Sequence, residues 1–332
     1  MNKIVFFEIE EWEIKHIQHN FPDTELVFRS QKVQDETTAD TFDASVISTF
    51  IYSKLNRESL QKFSNLKLIV TRSTGYDHID LAYCKEKGIS VVNVPSYGAS
   101  SVAEQTFALI LSISRKLLET IERSRRGDFS LEGLRGFDLN GKTLGVIGEG
   151  EIGKKVIEIA LCFGMHVLVY TPHPGAERER LHYVPLDELL AQSHIVTLHV
   201  PYNPQTHHLI NRDNIKKFKK GSILINTARG PLVETQAILD GLESHILQAA
   251  GLDVLEEECS LKEERELLTD DFLKSCDIKT QLLNHVLLTR EDVFFTAHNA
   301  FNTDDALLHI LETTMENIRA YFDNHPKNVV NG

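Results

Sequence analysis

The sequence predicts an α/β protein with two Rossmann-like domains, each a doubly wound parallel sheet, and three observations lead there. Short apolar runs alternate with helical patterns along the whole chain, as strand–helix layers require. One of those runs ends in Gly148-x-Gly150-x-x-Gly153, directly before a helical stretch. The 332 residues suit two domains, at roughly 150 residues each.

Composition narrows the function. With 42% hydrophobic and 25% charged residues the chain has an ordinary globular balance. A net charge of −13 repels phosphate, so neither nucleic acid nor an anionic membrane is an expected partner. Cys84, Cys162, Cys259 and Cys276 form no CxxC pair, so no metal site is expected, and scattered cysteines fit a reducing cytoplasm. The first residues turn acidic at Glu8, too soon for a signal peptide. No apolar run reaches the ~18 residues of a membrane span.

In the first hundred residues the strand-like runs are 3–7, 45–50, 66–71 and 89–94, with helical patterns between them, as at 56–63 and 80–87. One long helix is expected over about 101–126, opened by Ser100-Ser101-Val102-Ala103-Glu104, a serine cap with a glutamate three residues on. Its apolar positions, among them Phe107, Ile110, Ile113 and Leu117, cover more than one face, which fits a buried helix or a domain or dimer contact. A second series of strands reads 143–147, 166–170, 195–200, 222–226, 249–254 and 293–297. The amphipathic segment 304–324 is expected to return to the first domain. The domains are then 1–99 with 301–332, discontinuous and flavodoxin-like, and 100–300, dinucleotide-binding.

The 148–153 loop is the strongest local signal, because a strand precedes it and a helix follows. The first glycine permits a tight turn, the second lets a pyrophosphate approach the backbone, and the third lets the helix pack close. The helix N-terminus offers free N–H groups to phosphate. Glu149 and Glu151 place carboxylates near that phosphate; solvent-facing side chains, offset by Lys154 and Lys155, would accommodate them. The next strand ends at Thr171, where an NAD enzyme usually carries the carboxylate that holds the ribose. His173 or Arg178 would suit a 2′-phosphate, yet no arginine follows Thr171 directly. NAD is the expected cofactor, with NADP the open alternative.

Open α/β sheets bind ligands at the carboxyl ends of their strands. Those ends carry His199-Val200-Pro201, Asn226-Thr227-Ala228-Arg229-Gly230, Asp253 with the Glu256-Glu257-Glu258 run, and His298-Asn299-Ala300-Phe301. A histidine suits proton transfer near neutral pH, a carboxylate beside it favours its charged form, and an arginine grips a carboxylate bidentately. His199 is read as structural, its Val200-Pro201 neighbours as backbone contacts to the cofactor.

These segments, with Thr71-Arg72-Ser73-Thr74-Gly75-Tyr76-Asp77-His78 and Asn93-Val94-Pro95-Ser96-Tyr97, resemble the D-isomer-specific 2-hydroxyacid dehydrogenases, and most of all their D-lactate dehydrogenase branch. The resemblance covers nearly the whole chain. It implies that Arg229 binds and polarises the substrate, His298 is the general acid/base, and Glu258 pairs with His298. Thr74, Gly75, Tyr97 and Phe301 would contact the substrate. Gly148, Gly150, Glu151, Ile152, Gly153, Thr171, Val200, Pro201, Thr206, Thr227, Ala228 and Asp253 would contact the cofactor. The family's usual proline before the histidine is Ala297 here, and Gln105 stands where a histidine is common, a change of little expected consequence. The implied activity is NAD-dependent reduction of pyruvate or a related 2-keto acid by a cytoplasmic homodimer. A cofactor-sensing, corepressor-like binding protein of the same fold is the alternative, as is a reductase for bulkier keto acids.

Overall fold

The computed structural model describes residues 3–22, 24–257 and 277–332. The chain folds into two compact units, Met1–Tyr97 with Thr303–Gly332, and Gly98–Asn302. The junctions fall at 97–98 and 302–303 instead of the 99–100 and 300–301 read from pattern.

The first unit is a five-stranded parallel sheet in the order β2-β1-β3-β4-β5. Its strands are β1 (Lys3–Phe6), β2 (Glu25–Phe28), β3 (Val46–Thr49), β4 (Leu68–Thr71) and β5 (Ser90–Val92). This is the flavodoxin-like order. The edge strand β2 is not among the runs expected from sequence. Alternate side chains serve opposite faces. Val5, Ile47, Ile69 and Val91 pack with Leu60 and Tyr83 of helices α2 (Arg57–Leu60) and α3 (Leu81–Glu86). Ile4, Phe6, Val46, Leu68 and Val70 pack on the other face with Ile17 of α1 (Glu11–Asn20). Asn56 and Asp80 cap α2 and α3 through side-chain oxygens that accept from Ser59 and Tyr83 N–H.

The last helix, which we call α10 (Asp304–Phe322), adds Leu311, Met315 and Ile318 to that second face. Leu311 is 1% exposed. Leu311→Ala is expected to destabilise this unit by about 2–5 kcal/mol, the cost of a buried leucine truncation. Trp12, the one tryptophan, sits on α1, so a denaturant titration of its fluorescence follows this unit. An unchanged midpoint would contradict the packing.

The second unit holds a seven-stranded parallel sheet, β12-β11-β10-β9-β6-β7-β8. In chain order the strands are β6 (Thr143–Ile147), β7 (His166–Tyr170), β8 (Leu181–Tyr183), β9 (Ile195–Leu198), β10 (Ser222–Asn226), β11 (Leu247–Leu252) and β12 (Val293–Phe295). The order reverses between β6 and β9, which makes their carboxyl ends the expected crevice. Helices α4 (Ala99–Ser114) and α6 (Glu151–Cys162) cover one face through Phe107, Ile110, Ile113, Val156 and Ala160. Helices α7 (Leu186–Gln192) and α8 (Thr235–Glu243) cover the other through Leu189, Leu190, Ile238 and Leu242, with α9 (Ile278–Leu288) adding Leu287.

The single long helix expected over 101–126 is instead two. Helix α4 stops at Ser114, Lys116 turns left-handed at φ 52 and ψ 42, and α5 (Leu117–Arg125) begins. The cause is tertiary. The Ser114 carbonyl, which would take the next helical N–H, accepts from Phe137 N–H at 2.9 Å. Gly136 makes that approach possible, since a Cβ there would lie 2.2 Å from the same oxygen. The expected serine cap is also corrected: Gly98 occupies the N-cap and no side chain caps it, so Ser101 lies inside the helix.

Candidate active site

The 148–153 loop leaves β6 and turns into α6. Gly148 has φ +99, and a Cβ there would lie 2.6 Å from the His199 carbonyl oxygen. A Cβ on Gly153 would lie 2.1 Å from the Gly148 carbonyl oxygen. Both positions are closed to any side chain. A Cβ on Gly150 would meet nothing within 4 Å, so open space lies over the start of α6. First-turn N–H groups of a helix have no partner within it. Those at the start of α6 have no side-chain cap either, and the residues present fit the pyrophosphate of a dinucleotide.

The two loop carboxylates behave differently. Glu151 is exposed and pairs with Lys154 at 3.1 Å, as a solvated side chain would. Glu149 departs from the solvent-facing expectation: its oxygens accept from the Tyr183 hydroxyl, at 2.9 and 3.0 Å. Thr171 follows β7 directly and is half-buried.

Across the switch point, Val200 and Pro201 follow the buried His199. The His199 ring shares a 2.9 Å hydrogen bond with Thr197 Oγ1, and burial pushes its pKa down to about 3. The ring is therefore neutral and part of the core, as the sequence suggests. Thr206 closes the following turn, its hydroxyl donating to the Pro201 carbonyl at 2.7 Å while accepting from Asn203 N–H at 2.8 Å.

The next three strands, β10, β11 and β12, are neighbours in the sheet. After β10, Thr227 bonds Thr106 of α4 at 3.0 Å, and Ala228 N–H donates to the Asn226 side chain at 3.1 Å. Asn226 also donates to the Arg229 carbonyl, which fixes the backbone at the arginine. The half-buried guanidinium of Arg229 donates to the Ala228 carbonyl at 2.7 Å. Gly230 lets this turn lie against the β11 exit, because a Cβ would sit 1.8 Å from the Leu255 oxygen.

Asp253 follows β11 and is fully buried. Its carboxylate accepts from Thr296 Oγ1, from Asn299 N–H at 3.1 Å and from Ala300 N–H at 3.0 Å. Its carbonyl accepts from His298 N–H at 2.8 Å. Burial raises the carboxyl pKa, and the hydrogen bonds oppose that shift. Asp253 thus holds the turn that presents His298. That residue is half-buried with φ +50, and Phe301 lies edge-on to its ring at 6.5 Å. Gln105 reaches the same turn, donating to Thr296 Oγ1 at 3.3 Å. Gln105 therefore braces the site more directly than the sequence pattern suggests, and Thr296 carries no local signal at all.

Within the acidic run, Glu256 accepts from Thr235 N–H and Oγ1, each at 2.7 Å, and pairs with His208. Glu258 lies outside the described residues. In the first unit, Thr74 Oγ1 donates to the Val94 carbonyl at 2.9 Å and Asn93 donates to the Thr74 carbonyl at 2.8 Å. Among the described residues no hydrogen bond involves the Thr74 or Gly75 N–H. Two pinned, adjacent donors of this kind suit a carboxylate. Tyr97 ends this stretch of the unit. No helix among the described residues is long and apolar enough to cross a membrane, and no group of metal-ligating side chains occurs among them.

Comparison with known proteins agrees with this geometry. The profile of the D-isomer specific 2-hydroxyacid dehydrogenase NAD binding domain matches residues 107–300. A 2-hydroxyacid dehydrogenase homolog of Haemophilus influenzae is 36% identical over 95% of each chain. The D-lactate dehydrogenase of Escherichia coli is 32% identical, again over 95% of each. The crystal structure of D-lactate dehydrogenase from Aquifex aeolicus, complexed with NAD and lactic acid, superposes with a TM-score of 0.87 at 36% identity over 99% of each chain. The glycine cradle, the polar side chains at successive strand ends and these likenesses converge: the chain belongs to the D-isomer-specific 2-hydroxyacid dehydrogenases, in their D-lactate dehydrogenase branch, and is an NAD-dependent oxidoreductase.

Proposed function

We propose that the chain reduces pyruvate, or a closely related 2-keto acid, to the D-2-hydroxy acid, with His298 as the proton donor. The observation that carries this reading is the His298 turn. A buried carboxylate, Asp253, is committed to holding a histidine in a left-handed conformation at the sheet's carboxyl edge. Such strain persists only where the surroundings impose it. Arg229 leaves the sheet two strands away, roughly 10 Å at the usual strand spacing.

Bound NAD supplies hydride exchange at the substrate's C2 carbon. The chain's own residues do the rest. Gly148, Gly150, Glu151, Ile152 and Gly153 would cradle the pyrophosphate of NAD, and Thr171, Val200, Pro201, Thr206, Thr227 and Ala228 would contact the rest of the cofactor. Asp253, which braces the His298 turn, would contact the nicotinamide side. Arg229 grips the substrate carboxylate with paired hydrogen bonds and polarises the adjacent carbonyl. His298 gives a proton to the carbonyl oxygen and, in reverse, takes it from the hydroxyl. Glu258, outside the described residues, is the carboxylate that the resemblance assigns to His298. This reading keeps Thr74, Gly75, Tyr97 and Phe301 as contacts to the substrate. The same reading includes a cytoplasmic homodimer. Leu117 and Leu118 of α5, 45% and 50% exposed, supply apolar surface for a second copy.

The test is NADH oxidation, followed by absorbance, with pyruvate, phenylpyruvate, hydroxypyruvate and glyoxylate. The highest kcat/KM is expected with pyruvate. A bulkier acid as the best substrate would move the assignment within the family. No oxidation with any of them, while NADH still binds, would instead favour a cofactor-sensing binding protein.

A further inference from the structure

In a dinucleotide-binding sheet the ribose reader usually ends the second strand, and here that position holds Thr171, which carries no charge. A carboxylate nevertheless reaches the place from the first strand's loop. Glu149 follows β6, Tyr183 ends β8, and β7 lies between those strands. The Glu149–Tyr183 contact, at 2.9 and 3.0 Å, therefore passes over the carboxyl end of β7. The backbones are adjacent there as well, since Gly148 N–H donates to the Tyr170 carbonyl at 2.9 Å. Gly175 closes the far side; a Cβ on it would lie 2.7 Å from the Tyr183 hydroxyl and 3.7 Å from Glu149 Oε2.

Capacity matters as much as place. A tyrosine hydroxyl donates a single hydrogen bond, whereas a carboxylate accepts about four. Tyr183 thus fixes the direction of Glu149 and leaves most of its acceptor sites open. Of the cations that follow Thr171, His173 and Arg178 are both exposed, and the Arg178 charge acts on the Tyr183 hydroxyl. Glu149 is half-buried and anchored.

We propose that Glu149, oriented by Tyr183, reads the adenosine ribose in this chain, accepting from its 2′-hydroxyl and repelling a 2′-phosphate. The acceptor absent at Thr171 has moved to the middle of the glycine loop. The inference rests on NAD binding and not on the pyruvate assignment, and its test reads binding alone.

Fluorescence titrations of NADH and NADPH would compare the unaltered chain with Glu149→Gln, Tyr183→Phe and Glu149→Gln combined with Thr171→Asp. The unaltered chain is expected to bind NADH about 100-fold more tightly than NADPH, as facing like charges imply. Glu149→Gln keeps a partner for Tyr183 but removes the charge, and is expected to narrow the ratio to within ~10-fold, mainly by gained NADPH affinity. Adding Thr171→Asp should restore the preference. Tyr183→Phe, which keeps the carboxylate and frees its direction, should narrow the ratio in part, and it carries the test if Glu149→Gln fails to fold. Equal weakening of both cofactors in the two single variants would make the pair a loop anchor and overturn the proposal. So would equal affinity of the unaltered chain for NADH and NADPH.

Discussion

His298→Asn is expected to lower kcat for 2-keto acid reduction by about 10²–10⁴-fold, the range for losing a positioned proton donor. Asparagine is the sharper substitution here. His298 has φ +50, and asparagine tolerates that conformation far better than alanine does. The turn held by Asp253 should then survive, and the loss should fall on proton transfer and not on folding. Steady-state kinetics with NADH and pyruvate would show it as a reduced kcat. Arg229→Lys should behave differently, because a lysine cannot grip a carboxylate bidentately. It is expected to raise KM and lower kcat together. Near-normal turnover in both variants would remove the proposed assignment of the site.

The second large effect lies in a residue with no functional group. Gly230→Ala places a methyl 1.8 Å from the Leu255 oxygen, 2.0 Å from its carbon and 2.4 Å from Glu256 N. All three are backbone atoms, so no side chain can swing aside. The turn after β10 must move, and it carries Arg229. Overpacking of this kind costs about 1–3 kcal/mol or more. A shift of ~1 Å at a substrate-gripping group costs about 100-fold in rate. Thermal melting and kcat/KM measured on one preparation would separate the two. A variant that melts normally and turns over normally would show that the two segments are not in contact.

The strands that carry the candidate site are legible in the sequence because their apolar runs announce themselves. The apolar runs at 143–147 and 222–226 match β6 and β10, and the loops behind them carry the glycines and Arg229. What escaped was set by contacts between distant segments. Strand β8 spans three residues and exposes His182, too short for a period to emerge. The break at Ser114 depends on a carbonyl claimed by Phe137. Glu149 read as a solvated carboxylate because its partner, Tyr183, is remote in sequence and lies on that unread strand. Gln105 and Thr296 brace the His298 turn through Asp253, a relation no local pattern encodes.

The return of α10 to the first sheet has a consequence for biosynthesis. Leu311, Met315 and Ile318 complete one face of a core that begins at Ile4. The residues of the other unit, 98–302, are all translated in between. At roughly 5–20 residues per second, a ribosome takes on the order of 10–40 s to cross that stretch. Throughout that interval α1 alone covers that face of the nascent amino-terminal sheet, and the part on which α10 packs stays open. The interposed unit has every helix and strand of its sheet within one continuous stretch and is free to fold first. The first-made strands therefore belong to the last-finished core, and their exposure to chaperones lasts until translation has passed Ile318.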